Sequence, residues 1–400
     1  MFALTGVTRD YAWGSVTAIP EFIGAEPAPG PTAELWFGAH PSGASGIPEL
    51  EVDLAHLIGA DPTGTMGHGA IEHFGKELPF LLKLLAPAAP LSMQVHPSLE
   101  QARDGYARAC AGGDGAPVDY VDANHKPELL FPLTEFEVLS GLRKPEEIEA
   151  ALVGLDHPVL EQVQALLRDS EDPNRVADAF AHVLTTITPE GVDDIAQQCG
   201  ERLQQGASPF PHSDEIIGRL QAAHPGDRGV VASLLLTPRI LQPGEVMFVP
   251  AGTVHAYFRG LGVELMANSD NVLRAGLTSK NVDVPELLKV VDPNARTVFP
   301  MAEEAAPGLT RYALPVKDFE LSVISAAEGP VVVNEQGPRI LLALEDGVHV
   351  EANSPSHRGS PESVLACGQS VFVAHDEGPL KVRDGRVLHA NVSRSAYMRM

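Results

Sequence analysis

The chain has 400 residues, a formal net charge of −25, a sequence pI of about 4.9 and a mean hydropathy near zero. A protein this acidic repels nucleic acids and anionic lipid surfaces, so neither is expected as a partner. No run of 18 apolar residues occurs, so no membrane-spanning helix is expected, and the first residues do not predict a signal peptide. The three cysteines are far apart, which predicts free thiols in a reducing cytoplasm. The length predicts about two to three domains.

Residues 1–144 are rich in glycine and proline and carry short apolar runs, such as PFLLKLL at 79–85, which predict strands. The pattern changes between residues 145 and 228. Apolar residues there follow helical spacing and predict a helical insert. Helix starts are predicted at Thr188, which precedes a proline, and at Ser213.

Strand patterns return after the helical insert, and they contain an internal echo. Residues 244–250 (GEVMFVP) and 368–374 (GQSVFVA) carry glycine, phenylalanine and valine in the same register. The echo predicts two related β-units. The first consists of residues 1–144 and 229–300, and the second, which is degenerate, of residues 308–400.

The segment GEVMFVPAGTVH at 244–255 resembles the second sequence motif of the cupin family. In physical terms it is a strand, a turn set by Pro250 and Gly252, and a second strand that carries His255. A small barrel has an interior just wide enough for one site, and His255 would point into it. The asparagine that usually follows the histidine by four residues is Arg259 here.

The other half of such a site needs two ligands spaced two residues apart on a strand. The run LSMQVH at 91–96 supplies them, because strand periodicity places Ser92, Gln94 and His96 on one face. The general cupin motif has a histidine where Gln94 stands. A polar row opposite an apolar row is expected where one face of a strand lines a polar cavity.

Several further segments, in the same order along the chain, resemble type I mannose-6-phosphate isomerases. They are YAWGS at 11–15, ELWFGAHP at 34–41, NHKPELL at 124–130 and NSDNVLRAGLTSK at 268–280. The resemblance implies a mainly β fold with two cupin-type (jelly-roll) barrels and an α-helical domain. It also implies one Zn²⁺ per chain, a sugar-phosphate substrate, interconversion of mannose 6-phosphate and fructose 6-phosphate, and a monomer.

By this resemblance the zinc ligands are Gln94, His96, Glu128 and His255. Two neutral imidazoles, one amide and one carboxylate leave the zinc site with a charge of about +1. A site that keeps positive charge is a better Lewis acid for an oxygen that becomes anionic.

Aldose–ketose isomerisation moves a proton between the first two sugar carbons through an enediol, so it needs a proton carrier and positive charge over the enediolate. Arg274 matches the residue treated as catalytic in the family. Because arginine stays protonated, its expected role is electrostatic stabilisation, ring opening or phosphate binding. The proton carrier stays open among Glu264, His125, Lys126, Asp270 and a zinc-bound water.

The phosphate of the substrate carries close to two negative charges, so this acidic protein must supply cations locally. Lys126 and Lys280 are candidates for that role, and Ser92 shares the strand face of the ligands. Tyr257 shares a face with His255 and is expected to orient the sugar. His125 is a further candidate for substrate binding. Trp13 either stacks on the sugar ring or fills the core.

Two other functions are compatible with the same ligand set. A metal-dependent cupin oxygenase would hold iron with two histidines and a carboxylate. A non-enzymatic, sugar-binding protein with two barrels would also explain a degenerate second unit. The segment 268–280 opposes the first alternative, and the complete set of ligands opposes the second.

Overall fold

The computed structural model describes residues 1–112, 119–168, 171–280, 282–352 and 359–396. The chain combines helices with several antiparallel sheets, in agreement with the prediction of strands interrupted by a helical segment. In the described part of the chain, no helix is long and apolar enough to span a membrane.

Strands and helices alternate in the first part of the chain. The strands are β1 Phe2–Leu4, β2 Val7–Arg9, β3 Glu34–His40, β4 Gly43–Ala44, β5 Gly46–Ile47, β6 Val52–Asp53, β7 Phe80–Leu85, β8 Met93–Val95, β9 Glu128–Pro132 and β10 Phe136–Leu142. The helices are α1 Ala18–Phe22, α2 Leu54–Ala60, α3 Pro62–Phe74 and α4 Leu99–Ala111. These helices were not predicted. Their caps were present in the sequence, because Asp61 caps α3 ahead of a proline and Ser98 forms a capping box with Gln101.

A run of helices follows, where the sequence predicts a helical insert. Its members are α5 Pro145–Ala151, α6 Pro158–Leu167, α7 Arg175–Thr186, α8 Pro189–Gln204, α9 Pro211–Ala223 and α10 Arg228–Ala232. Thr188 caps α8, as predicted, by accepting a hydrogen bond from the Gly191 amide. The predicted start at Ser213 is wrong, because α9 begins two residues earlier at Pro211.

The next elements complete two sheets that pack against each other. They are β11 Leu236–Leu241, β12 Met247–Val249, β13 His255–Arg259, β14 Gly262–Ala267, β15 Leu273–Gly276 and α11 Val284–Val290. One sheet has the order β11-β10-β13-β8-β15, and the other runs β12-β9-β14-β7-β3-β2 with β4 paired to β3. A buried apolar cluster joins Leu130 and Met247 of one sheet to Phe136 and Tyr257 of the other, so these sheet faces enclose a common interior.

The last part of the chain forms two more sheets. Its strands are β16 Ala302–Ala306, β17 Leu309–Tyr312, β18 Glu320–Ser325, β19 Val331–Val333, β20 Arg339–Ala343, β21 Val348–Ala352, β22 Glu362–Leu365, β23 Ser370–Val373, β24 Leu380–Val382 and β25 Arg386–Asn391. The orders are β1-β23-β20-β25-β18-β17-β16 and β19-β24-β21-β22. Strand β1 therefore belongs to the sheet of the C-terminal part. Short 3-10 turns lie at Pro48–Leu50, Ser233–Leu235, His375–Glu377 and Arg394–Ala396.

A buried carboxylate ties α11 to α4. Glu286 accepts hydrogen bonds from Arg108 at 2.6 and 3.2 Å, from Tyr120 at 3.0 Å and from Lys289 at 2.7 Å. The Arg108 hydrogen bonds are the main reason why the pKa of Glu286 falls to about 2, although burial opposes the shift. A carboxyl whose pKa is lowered by folding stabilises the protein above its unfolded pKa, and this contribution disappears as pH falls toward the folded value.

We therefore expect Glu286→Gln to lower the melting temperature at pH 7. Between pH 4.5 and pH 2, the melting temperature of the variant should fall less than that of wild type. Thermal unfolding at a series of pH values measures this. Glu100→Gln, an exposed position in α4, is the control and should follow wild type. Parallel pH curves for Glu286→Gln and wild type would contradict the assignment.

Candidate metal centre

The turn between β12 and β13 carries His255 into the sheet interior. Gly252 has a φ of 80°, and a Cβ there would lie 2.9 Å from the Cβ of Asp292, so the position requires glycine. His255 opens β13 and is fully buried. It lies opposite Gln94 of β8, which in turn lies opposite Arg274 of β15. Directly opposite residues of antiparallel strands share a face, so this face presents these three side chains together.

The facing sheet contributes a carboxylate that lies between two imidazoles. Glu128 Oε1 is 3.2 Å from His96 Nε2, and Glu128 Oε2 is 3.3 Å from His255 Nε2. All three residues are buried, and their potential ligand atoms lie within 4.8 Å of one another. Such spacing matches that of ligands about 2.0–2.2 Å from one shared zinc ion. Within the described ranges, no other cluster of three His, Cys, Asp or Glu residues has this spacing.

The two histidines are held in the tautomer that a metal requires. His96 Nδ1 lies 2.8 Å from the Asn271 carbonyl oxygen, and His255 Nδ1 lies 3.0 Å from that of Thr253. Because a carbonyl oxygen only accepts, each Nδ1 carries the proton and each Nε2 presents a lone pair. Both Nε2 atoms are buried without a hydrogen-bond partner. Two buried, unpartnered lone pairs beside a carboxylate fit a bound cation.

The charges around Glu128 keep this group ready for a metal. Burial would raise the pKa of the Glu128 carboxyl, but Lys126 and the two histidines hold it well below its usual range. The Lys126 ammonium lies 2.7 Å from Glu128 Oε1, as expected for residues spaced two apart. Burial, with the neighbouring Lys126, lowers the pKa of His96 to about 4. His96 is therefore neutral near pH 7, as a metal ligand must be.

A second buried charge pair lies in the same interior, and one of its members was missed in the sequence. Lys83 Nζ is 2.8 Å from Glu264 Oε2, in register across β7 and β14. Burial raises the pKa of Glu264. Burial would lower the pKa of Lys83, but Glu264 and Glu34 raise it. The sequence did contain a signal for this pair, namely the single lysine inside the apolar run 79–85. A lysine in a buried strand predicts a buried acidic partner, because an unpaired lysine is almost never buried.

Four other candidates differ in their burial and contacts. Tyr257 is buried, and its hydroxyl donates to Glu128 Oε2 at 3.4 Å. Trp13 packs against the apolar cluster that contains Tyr257, and it stacks on Tyr11 with ring centroids 5.6 Å apart. Ser92 is half-buried, two residues before Gln94, whereas Lys280 is exposed.

Asp270 and His125 lie on a separate cleft with a volume of about 1220 Å³. Asp270 contacts His40 Nε2 at 3.5 Å, and His125 Nε2 lies 3.0 Å from Asp318. The three clustered ligands do not line this cleft. The structure therefore does not bring these two candidates together with the metal-accepting group.

Several characterised proteins are similar to this chain over nearly its whole length. Mannose-6-phosphate isomerase from Escherichia coli (strain K12) is 36% identical over 394 residues, covering 96% of this chain and 97% of that protein. The Homo sapiens protein of the same name is 32% identical, covering 100% of this chain and 95% of its own. A crystal structure of mannose 6-phosphate isomerase bound with zinc and yttrium has a TM-score of 0.86 at 32% identity, covering 98% of this chain and 99% of that one. A mutant phosphomannose isomerase from Salmonella typhimurium has a TM-score of 0.87 at 33% identity, with the same coverage.

The sheets and the buried group together define a class of protein: antiparallel β-sheets that enclose a site for one metal ion. A family model described as phosphomannose isomerase type I, catalytic domain, matches residues 1–145. With these similarities, the chain belongs to the mannose-6-phosphate isomerase family. The family expected from the sequence motifs is thus confirmed.

Proposed function

We propose that the chain is a zinc-dependent isomerase that interconverts D-mannose 6-phosphate and D-fructose 6-phosphate. The observation that carries the proposal is the convergence of His96, Glu128 and His255 on one buried point, with both Nε2 atoms unpartnered. The reaction is the one named for the family to which the chain belongs. The geometry of the three residues supports the proposal that this chain carries it out.

We propose Gln94, His96, Glu128 and His255 as the residues that hold the zinc ion. Gln94 joins the set because it lies directly opposite His255, so that its amide shares the face of the imidazole. When bound, the metal would supply positive charge close to the substrate oxygens, where negative charge develops.

Proton transfer through an enediol is assigned to the buried Glu264–Lys83 pair. A carboxyl with a raised pKa is a better base for a carbon-bound proton than an ordinary exposed carboxyl. Lys83 keeps Glu264 oriented through the 2.8 Å contact. Lys126 remains a second candidate, because it touches the ligand Glu128. Asp270 and His125 are left out of this role because they line the separate cleft.

Phosphate binding and sugar orientation are assigned to residues at the edge of the same interior. Arg274 lies opposite Gln94 and is half-buried, so its guanidinium is available to an anion at that edge. Lys280, a few residues further on, is exposed and would add long-range attraction. Ser92 and Tyr257 would hydrogen-bond the sugar, and Trp13 would cover one face of it.

We also propose the two-unit organisation expected from the sequence: a catalytic cupin barrel from residues 1–144 and 229–300, a helical insert at 145–228, and a degenerate barrel at 308–400. Strand β1 is an exception to the expected bounds, because it pairs with β23 in the sheet of the C-terminal part. Strand register supports the proposal. Val249 lies opposite Glu128 across β12 and β9. Its counterpart in the echo, Val373, lies opposite Arg339 across β23 and β20.

The correspondence between the two units extends to the neighbouring strands, with β7 and β14 of the first unit matching β18 and β25 of the second. Lys83 and Glu264 pair across β7 and β14, and the equivalent positions of β18 and β25 hold Ser322 and His389. An arginine therefore replaces the carboxylate ligand in the second unit, and a guanidinium cannot bind a metal ion. This unit is assigned a structural role. A monomer in the cytoplasm is proposed for the whole protein.

The test is turnover of mannose 6-phosphate, followed as fructose 6-phosphate through a coupled NADPH readout. Zinc-replete protein is expected to turn over, chelator-treated protein to lose at least about 99% of the rate, and added zinc to restore it. Magnesium added in place of zinc is the matched control, because it disfavours a site rich in imidazole. Absence of turnover in zinc-replete protein would refute the isomerase proposal.

A further inference from the structure

The Asn271 side chain joins two loops beneath the candidate metal centre. It is fully buried, and its amide group is saturated with hydrogen bonds. Its Oδ1 accepts from the Val121 amide at 2.8 Å and from the Asp122 amide at 3.3 Å. Its Nδ2 donates to the carbonyl oxygens of Asp122 and Asn124, both at 2.8 Å. Such a two-sided set of bonds fixes both the position and the orientation of the amide.

The Asp122 carboxylate holds the same two loops from the other side. Its oxygens accept from the Ser269 hydroxyl at 2.9 Å, the Asp270 amide at 2.9 Å and the Asn124 amide at 2.8 Å. It also accepts from Asn271 Nδ2 at 3.1 Å. Residues 121–124 and 268–271 are therefore one cross-linked unit, not two independent loops.

This unit contacts one proposed metal ligand, His96, and precedes another, Glu128, in the sequence. The Asn271 carbonyl oxygen accepts from His96 Nδ1 and so determines which nitrogen faces Glu128. The 121–124 loop leads directly into Lys126 and Glu128 at the start of β9. The bonds of the Asn271 side chain therefore join the segment that contacts His96 to the segment that leads into Glu128.

We propose that Asn271, supported by Asp122, is a positioning residue for the metal centre: its side-chain amide fixes the loop whose backbone carbonyl oxygen accepts from His96 Nδ1, and so holds His96 and Glu128 at the separation that binds zinc. The proposal rests on the metal assignment made above. Partners that orient metal ligands typically contribute about 10- to 100-fold to metal affinity. Asn271 itself contributes no ligand atom, so its effect on zinc passes through its neighbours.

The decisive variant is Asn271→Asp, which keeps the shape and removes both Nδ2 donors. A carboxylate oxygen would then face the carbonyl oxygens of Asp122 and Asn124. We expect the dissociation constant for zinc to rise about 10- to 100-fold, measured by competition of zinc alone with a chelating dye. Turnover should return toward wild type when zinc is raised in proportion, because the reacting groups are intact.

The matched control is Asn391→Asp, a buried asparagine of the second unit that donates to the Val392 carbonyl oxygen at 2.8 Å. It places the same new charge in a buried site away from the metal centre. It should lower the melting temperature of metal-free protein without changing zinc affinity. If Asn271→Asp does not fold, Asp122→Asn is measured instead, because it is isosteric and adds no charge.

A zinc affinity within about twofold of wild type in the folded variant, whatever its melting temperature, would overturn the proposal. A loss of affinity equal to that of Asn391→Asp would overturn it as well, because the effect would then be general destabilisation. The readout is zinc binding, so it stands apart from the isomerase assay. Weakened zinc binding in a protein without isomerase activity would uphold this inference while refuting the proposed reaction.

Discussion

His255→Ala is expected to abolish zinc binding at stoichiometric metal and to lower kcat/KM by at least about 10³-fold. The reason is that His255 supplies one of two lone pairs that meet at Glu128, and its removal leaves the carboxylate with one imidazole. Losing the bound charge removes several kcal/mol of transition-state stabilisation, and each 1.36 kcal/mol corresponds to about tenfold in rate. Zinc content by atomic absorption and turnover of mannose 6-phosphate measure the two effects.

His389→Ala is the matched control for this variant. His389 is also buried, and both of its ring nitrogens lack partners, but it lies in the second unit. It should lose stability through the cavity left behind while keeping zinc and turnover. If His255→Ala keeps a full complement of zinc at wild-type affinity, the ligand set is wrong. If His389→Ala loses zinc as well, the effect belongs to folding.

Glu264→Gln is expected to lower kcat by about 10²- to 10⁴-fold while zinc content stays near wild type. The melting temperature should fall as well, because the buried Lys83 ammonium loses its counter-charge. Glutamine keeps an oxygen for the 2.8 Å contact with Lys83 but can no longer accept the substrate proton. The measurement is kcat together with exchange of the substrate C2 proton into solvent, which should fall in parallel.

Glu137→Gln is the control for Glu264→Gln, because Glu137 is also buried and also paired with a cation, Arg219. It should reduce stability with little effect on kcat. A kcat within tenfold of wild type for Glu264→Gln would assign the proton to another carrier, with Lys126 the next residue to replace.

The clustering of His96, Glu128 and His255 was expected from the family resemblance, and short local patterns supported the placement of the two histidines. A proline and a glycine at fixed spacing set the turn before His255, and strand periodicity placed Gln94 and His96. The same holds for the cap at Thr188, where a side chain and the following proline act within one turn of helix. Turns, strand faces and helix caps of this kind can be predicted from sequence because neighbouring residues determine them.

The site features that the sequence did not predict depend on contacts between distant parts of the chain. Lys83 meets Glu264 across 181 positions, and only the strand register of the folded sheet reveals the pair. Asp270 is one of the proton carriers that the sequence leaves open, but its side chain contacts Ser42 and His40 from the first part of the chain. His125 follows the same pattern, since its partner Asp318 lies 193 positions away.

Pairing of β1 with β23 has a consequence for the order of events during synthesis. Phe2, the first residue of β1, faces Phe372, so β1 cannot pair with β23 until about 370 further residues have been translated. At about 5–20 residues per second, that wait is roughly 20–70 seconds. During this time a nascent apolar strand is exposed beside the ribosome. Closure of the C-terminal sheet is therefore a late step of folding, and a chaperone that shields β1 would raise the yield of folded protein.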